Sequence, residues 1–130
     1  MTRINVVPVS ELCDQHLLAE YRELTRIPNG ILKGTLKVHY DDRPSEYTLG
    51  AGHVKFFTNK LPWLFRRYVE LGTECRKRGF YVKSNWRVGV LPQEKGQNYT
   101  PSPKDLALNR ARIQERWPKR ARYYGSQYPA

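Results

Sequence analysis

The chain has 130 residues, of which 23 are Lys or Arg and 12 are Asp or Glu, for a formal net charge of +11; that length suits one hydrophobic core and not two. Such a charge points to a polyanionic partner, nucleic acid first. Because the basic residues are scattered over several segments instead of lining one long amphipathic helix, an anionic membrane surface ranks well below.

Cys13 and Cys75 lack metal-ligand spacing, and His16, His39 and His53 fall in no zinc pattern. There is also no apolar run of membrane length and no hydrophobic signal segment. No metal site and no membrane span are therefore expected, and two unpaired thiols suit a reducing cytoplasm.

A short extended lead runs from Thr2 to Ser10, a good helix N-cap, and a helix is predicted from Glu11 to Leu24. Cys13, Leu17, Tyr21 and Leu24 recur at three- and four-residue steps and form its core face. Gln15, Arg22 and Arg26 fall roughly opposite, with His16 and Glu23 between that stripe and the core. Pro28-Asn29-Gly30 is expected to break or kink the helix. Between Gly34 and Leu49, alternation at Leu36, Val38 and Tyr40 followed by a turn-like Asp41-Asp42-Arg43-Pro44-Ser45 reads as a short hairpin near 35–48 or as irregular loop. Gly50-Ala51-Gly52-His53 has little bulk and suits close packing against a neighbouring helix, or against a phosphate.

Pro62 opens a second helix with the stripe Leu61, Leu64, Phe65, Tyr68, Leu71 and Cys75, closed by Gly79. Arg76, Lys77 and Arg78 crowd its last turn, where they suit either the helix dipole or a DNA contact. Tyr81 to Pro101 reads as loop packed over the helices and anchored by Trp86. Ser102-Pro103 opens a third helix with Leu106, Ile113 and Trp117 inward, and Arg112 and Arg116 one turn apart on a neighbouring face, before Pro118 stops it. The tail from Lys119 to Gly125, including Arg122 and Tyr123, interleaves cations with aromatics; it suits phosphate contact and base stacking together with packing on the body. The predicted fold is mainly α: a compact single domain over residues 1–130, with about three helices and long packed loops.

Glu23 stands out, because a carboxylate beside Arg22 and Arg26 is repelled by a phosphate backbone. As a surface salt bridge it is worth at most about 1 kcal/mol. Its functional alternative is to stabilise positive charge on a sugar as a glycosidic bond breaks, or to move protons. No second carboxylate nucleophile is obvious, so a covalent mechanism calls for an amine. At neutral pH an α-amine, titrating near 7.7 to 8.0 against about 10.4 for lysine, is roughly a few hundredfold richer in the reactive neutral form. Thr2 is small, so removal of Met1 is expected to free its α-amine.

TRIN at 2–5, VSEL at 9–12, DQHL at 14–17 and AEYREL at 19–24 resemble the pyrimidine-dimer DNA glycosylase (endonuclease V) family of T-even bacteriophage. The likeness continues in LGAGHV at 49–54, KRGF at 77–80, Ala111-Arg112 and YYG at 123–125, and is faint from Ile27 to Tyr47. It implies a mostly helical monomer acting on double-stranded DNA that carries pyrimidine dimers or abasic sites. The Thr2 amine would attack the sugar and form an imine, with β-elimination following, and the resemblance implies that no metal or organic cofactor is needed. Glu23 would be the essential carboxylate, Arg22 and Arg26 would hold phosphates and the dimer, and Arg3, Gln15 and His16 would fall on the binding side. The resemblance also assigns phosphate contacts to Arg112 and Arg116, and implies sharp DNA kinking with extrusion of the base opposite the lesion. Arg120-Ala121 stands where the family has a Trp-Tyr pair, so the damage contacts of those aromatics do not carry over. The alternatives are a non-catalytic basic DNA-binding protein on the same scaffold and an RNA- or membrane-binding helical protein.

Overall fold

The computed structural model describes residues 3–37, 46–86 and 99–127. Two long amphipathic helices set the frame: α1 (Asp14–Leu24) packs along α4 (Leu61–Lys77). Leu17, Tyr21 and Leu24 of α1 meet Leu64, Tyr68, Leu71 and Cys75 of α4 in one buried cluster, as their helical spacing predicts, and Tyr21 stacks on Tyr68 with ring centres 4.6 Å apart. Phe65 departs from the predicted stripe: it is 41% exposed, while Trp63 takes a buried place. Trp86 covers Phe65 edge-on at 5.2 Å and lies at 5.9 Å from Tyr68, so it anchors the described part of the following loop as expected.

Element boundaries shift where local and tertiary demands differ. Ser10 is not the cap of α1. Val9–Glu11 form a 3-10 turn, and α1 starts after Cys13, which makes no side-chain cap bond. The predicted break also moves, from Pro28 to Thr25, and α2 (Arg26–Lys33) runs through Pro28. Pro28 is the third residue of α2, in the first turn, where backbone N–H groups have no intrahelical partner, so proline is tolerated. Gly34 ends α2. Of the predicted hairpin near 35–48, residues 38–45 lie outside the described residues, and 35–37 and 46–48 are not strand.

Gly50–Gly52 forms a 3-10 turn leading into α3 (His53–Phe57). A Cβ on Gly50 would meet only open space. What glycine supplies there is its φ of 75°, a left-handed conformation costly to other residues, and not the close packing expected from sequence. The second predicted helix is α4, which has Pro62 in its first turn and ends before Gly79 at φ 90°. Ser102 caps α5 (Pro103–Glu115) with a reciprocal capping box: its hydroxyl accepts from the Asp105 amide, and the Asp105 carboxylate accepts from the Ser102 amide, each at 3.1 Å.

Arg78 answers neither sequence reading. Its guanidinium is buried between Asp14 (3.1 Å) and Glu74 (2.8 Å) and lies 4.4 Å from the Tyr123 ring centre, so it ties α4 to α1 and to the tail. Arg76 and Lys77 remain exposed. The tail closes into an antiparallel pair, β1 (Arg122–Tyr123) with β2 (Ser126–Gln127). Its two turn residues, Tyr124 and Gly125, have φ of 57° and 78°, the pattern of a tight hairpin turn. Their amides donate to Asp14 at 3.0 and 2.7 Å, and this fixes the hairpin on the start of α1.

The lead is threaded through the core with no strand partner among the described residues. Ile4, Asn5, Val6 and Val7 are buried, so their backbone polar groups must be met by side chains. Ile4 N–H donates to His53 Nε2 (2.8 Å) and its carbonyl accepts from the Tyr47 hydroxyl (3.2 Å). Val6 and Val7 N–H donate to Asn109 Oδ1 (2.6 and 3.1 Å), and Arg67 Nη1 donates to the Val7 carbonyl. Four clamps from α3, α4, α5 and the loop before α3 thus hold the chain start against α1. Among the described residues, no helix is long and apolar enough to cross a membrane.

Candidate active site

A cleft of about 320 Å³ opens where the lead, α1 and α5 meet. From α1 come His16, Glu20 and Glu23, spaced four and three residues apart and so stacked on one helix face. The lead contributes Arg3 and Asn5, and Ile113 and Arg116 close the side formed by α5 and its C-terminal cap.

The two carboxylates differ sharply. Glu20 is 2% exposed and its oxygens are spent. Arg67 grips it through Nε at 2.8 Å and Nη2 at 3.0 Å, and Asn5 Nδ2 adds a bond at 2.9 Å. Glu23 is half-buried and faces the cleft, where Oε1 accepts from the Arg3 backbone amide at 3.2 Å. It forms no ion pair among the described residues, so the salt bridge with Arg22 or Arg26 that sequence allows is not made. Glu20 is structural, whereas Glu23 retains oxygen lone pairs toward the cleft.

Cations outnumber this carboxylate. Burial lowers the Arg3 pKa from its usual value, and the positive charges of Arg116 and Arg112 lower it further; the guanidinium nonetheless stays charged at neutral pH. Like charges held this close repel, and an entering phosphate relieves that repulsion. Arg112 also pairs with Glu115 at 3.1 Å. Arg22 and Arg26 are exposed, on α1 and at the start of α2, and do not line the cleft itself.

His16 is oriented by the end of α5. Its Nε2 donates to the Arg116 carbonyl at 3.1 Å, and its ring meets Trp117 edge-on at 5.9 Å. Burial lowers its pKa, so the imidazole is neutral near pH 7, with Nδ1 buried and without a partner among the described residues. Gln15, predicted on the binding side, uses both ends of its amide on the tail: Nε2 donates to the Arg120 carbonyl (2.7 Å) and Oε1 accepts from Arg122 N–H (3.0 Å). Tyr123 donates its hydroxyl to the Ser10 carbonyl at 2.9 Å. Lys119, Arg120 and Arg122 are exposed along the tail.

Thr2 lies outside the described residues; its neighbour Arg3 is the first described residue and is bonded to Glu23. Sequence reasoning missed Glu20 and Asn5 as lining residues and Asn109, Arg67, Tyr47 and His53 as supports. Glu20 was findable, since it sits on the same helical face as His16 and Glu23. The four supports meet the lead across 43 to 103 residues of chain and leave no local signal. Among the described residues no cluster of three His, Cys, Asp or Glu side chains is arranged to hold a metal ion.

A family model described as pyrimidine dimer DNA glycosylase matches residues 1–88. That span includes Arg3, His16, Glu20, Arg22, Glu23 and Arg26, and with them one wall of the cleft, whereas Arg112, Arg116 and the tail lie beyond it. With most of the chain matched and a cation-rimmed cleft built around one available carboxylate, the chain belongs to the pyrimidine dimer DNA glycosylase family, whose broad role is that of a DNA repair glycosylase.

Proposed function

We propose that the protein excises cyclobutane pyrimidine dimers from duplex DNA with the α-amine of Thr2 as nucleophile, once Met1 is removed, and then cuts the strand as an abasic-site lyase. The observation that carries this reading is the bond from Arg3 N–H to Glu23 Oε1 at 3.2 Å inside the cleft. It joins the chain start to the one cleft carboxylate that Arg67 does not neutralise.

In the proposed reaction the amine nitrogen attacks C1′ of the dimer's 5′ nucleotide. The C1′–N bond breaks, and the departing pyrimidine nitrogen takes the electron pair and one amine proton. Opening of the sugar ring gives O4′ the second proton and leaves a C1′=N imine. Loss of a C2′ proton then expels the 3′ phosphate by β-elimination, and water releases the amine. The scheme balances without an oxidant, metal or organic cofactor. Glu23 stabilises the cationic intermediate and relays protons. Arg22 and Arg26 hold phosphates and the dimer. Arg3, Gln15, His16, Arg112, Arg116, Lys119, Arg122 and Tyr123 make up the wider DNA-binding set, for a monomer working on DNA in the cytoplasm.

A dimer already weakens stacking and pairing, so the distortion needed to reach the sugar costs less there than in sound duplex. Borohydride added to enzyme and dimer-containing duplex tests the proposal. A stable protein–DNA adduct is expected from the unsubstituted protein and a much reduced yield from Glu23→Gln. Equal behaviour of the two proteins, or no adduct from correctly processed protein, overturns it.

A further inference from the structure

Resting on that reading, we infer that His53, assisted by Tyr47, is a positioning residue for the nucleophile: together they fix both peptide groups of Ile4, two residues from Thr2, by side-chain hydrogen bonds. His53 is 3% exposed and sits at the start of α3, far along the sequence from the lead. Its Nδ1 lies 2.8 Å from the Thr48 carbonyl. A carbonyl only accepts, so Nδ1 carries the proton and Nε2 is left as an acceptor. That acceptor receives Ile4 N–H at 2.8 Å. The Tyr47 hydroxyl reaches the Ile4 carbonyl at 3.2 Å.

The latch itself is held from behind. Tyr47 and His53 lie 5.6 Å apart between ring centres, and Phe57 meets them edge-on at 6.1 and 5.5 Å, so neither ring turns freely. With Arg3 N–H on Glu23 at 3.2 Å, three consecutive backbone bonds define the line of the lead through Arg3 and Ile4 beside the cleft. Losing the His53 acceptor frees that line while leaving Arg112 and Arg116, which belong to α5 and its C-terminal cap, in place to bind phosphate. Position and affinity should therefore separate.

The test uses the full chain with Met1 removed, in four forms: unsubstituted, His53→Leu, His53→Gln and Tyr47→Phe. Affinity is read on duplex carrying a tetrahydrofuran abasic analogue, which lacks the C1′ hydroxyl and forms no imine. Chemistry is read as the single-turnover rate of borohydride-trapped adduct on natural abasic-site duplex. His53→Leu should slow trapping on the order of tenfold to a hundredfold, the scale of a small misplacement of a reacting group, with affinity for the analogue within about twofold.

Gln places an amide oxygen near the Nε2 position but gives up the bond to Thr48. His53→Gln should therefore recover much of the rate with no gain in thermal stability over His53→Leu. Tyr47→Phe removes one hydroxyl from intact ring packing and should slow trapping severalfold, which keeps the test alive if His53→Leu does not fold. Trapping at the unsubstituted rate in all variants overturns the inference alone. So does a rate that follows thermal stability, with Gln no better than Leu. No adduct from the unsubstituted protein overturns the proposed function, and this inference with it.

Discussion

Asn109 is the residue whose loss should most clearly separate a held chain start from a loose one. It is fully buried on α5, and its amide makes three hydrogen bonds: Oδ1 accepts from the Val6 and Val7 amides at 2.6 and 3.1 Å, and Nδ2 donates to Asn5 Oδ1 at 2.8 Å. Asn109→Leu keeps the volume and removes all three bonds. Two backbone N–H groups and one side-chain carbonyl are then buried without partners, at about 1 to 3 kcal/mol each. The lower end applies, because the lead borders an open cleft and can shift toward water, so the expected loss is about 3 to 4 kcal/mol. Against a total stability of about 5–15 kcal/mol for an ordinary domain, that is a large fraction.

The assay is urea unfolding followed by tryptophan fluorescence, with the slope in denaturant unchanged if compactness is unaffected. The midpoint should fall markedly. The proposed amine chemistry should fall further than DNA affinity, since Asn109 holds the lead, whereas Arg112 and Arg116 stay on α5 and its cap. A loss below about 1 kcal/mol would mean that the buried amides find other partners, and the clamp argument would fail.

Three further outcomes follow from the same contacts. Arg67→Met strands the buried Glu20 carboxylate and should cost about 3–5 kcal/mol, while the double change Glu20→Gln with Arg67→Met should recover a good part of it, measured by the same unfolding curves. For pH, His53 is held below its ordinary value of 6.5, first by burial and then by the positive charges of Arg3 and Arg112, with the Thr48 carbonyl and Glu20 opposing; burial lowers His16 likewise. The unfolded chain then binds protons more readily than the folded one. These histidines contribute stability that is fully present above pH 6.5 and lost as pH falls through the lower folded values. Unfolding midpoints compared well above and well below that pH should show the loss, and His53→Gln should reduce it; a flat profile would contradict the neutral tautomer derived from Ile4 and Thr48. Finally, binding to undamaged duplex should weaken steeply with salt, and Arg116→Gln should reduce the log–log slope by about 1, whereas an unchanged slope would remove Arg116 from the phosphate contacts.

What sequence made legible follows from the range over which each signal acts. The inner faces of α1 and α4 are written in three- and four-residue spacings, so Leu17, Tyr21, Leu64 and Leu71 were readable, as were the Ser102 cap and the stop at Gly79. Helix geometry also put His16 and Glu23 on a shared edge before any contact was known. The lead carries no such period. Its burial is decided by Asn109 and His53, whose pairing with residues 4–7 is a property of the folded chain.

Arg78 shows the opposite failure: its place at a helix end suggested a dipole partner or a phosphate ligand, but Asp14 and Glu74 hold it in the interior. Gln15 lies where helical geometry predicted, yet its amide is taken up by Arg120 and Arg122, because the tail folds back as a hairpin whose turn includes a tyrosine at positive φ. That backbone conformation is uncommon for residues other than glycine and is not announced by composition. The candidate site was thus half legible: its α1 wall by periodicity, and its closure by α5 only through tertiary contact.

The central claim is that the chain's own α-amine does the chemistry beside Glu23, and its most direct test is the site of covalent attachment. Protein with Met1 removed, trapped by borohydride on dimer-containing duplex and digested, should yield one nucleotide-bearing peptide whose fragmentation places the mass on the α-nitrogen of Thr2. Attachment at a lysine side chain, or an equal yield from protein whose α-amine has been acetylated, would contradict it.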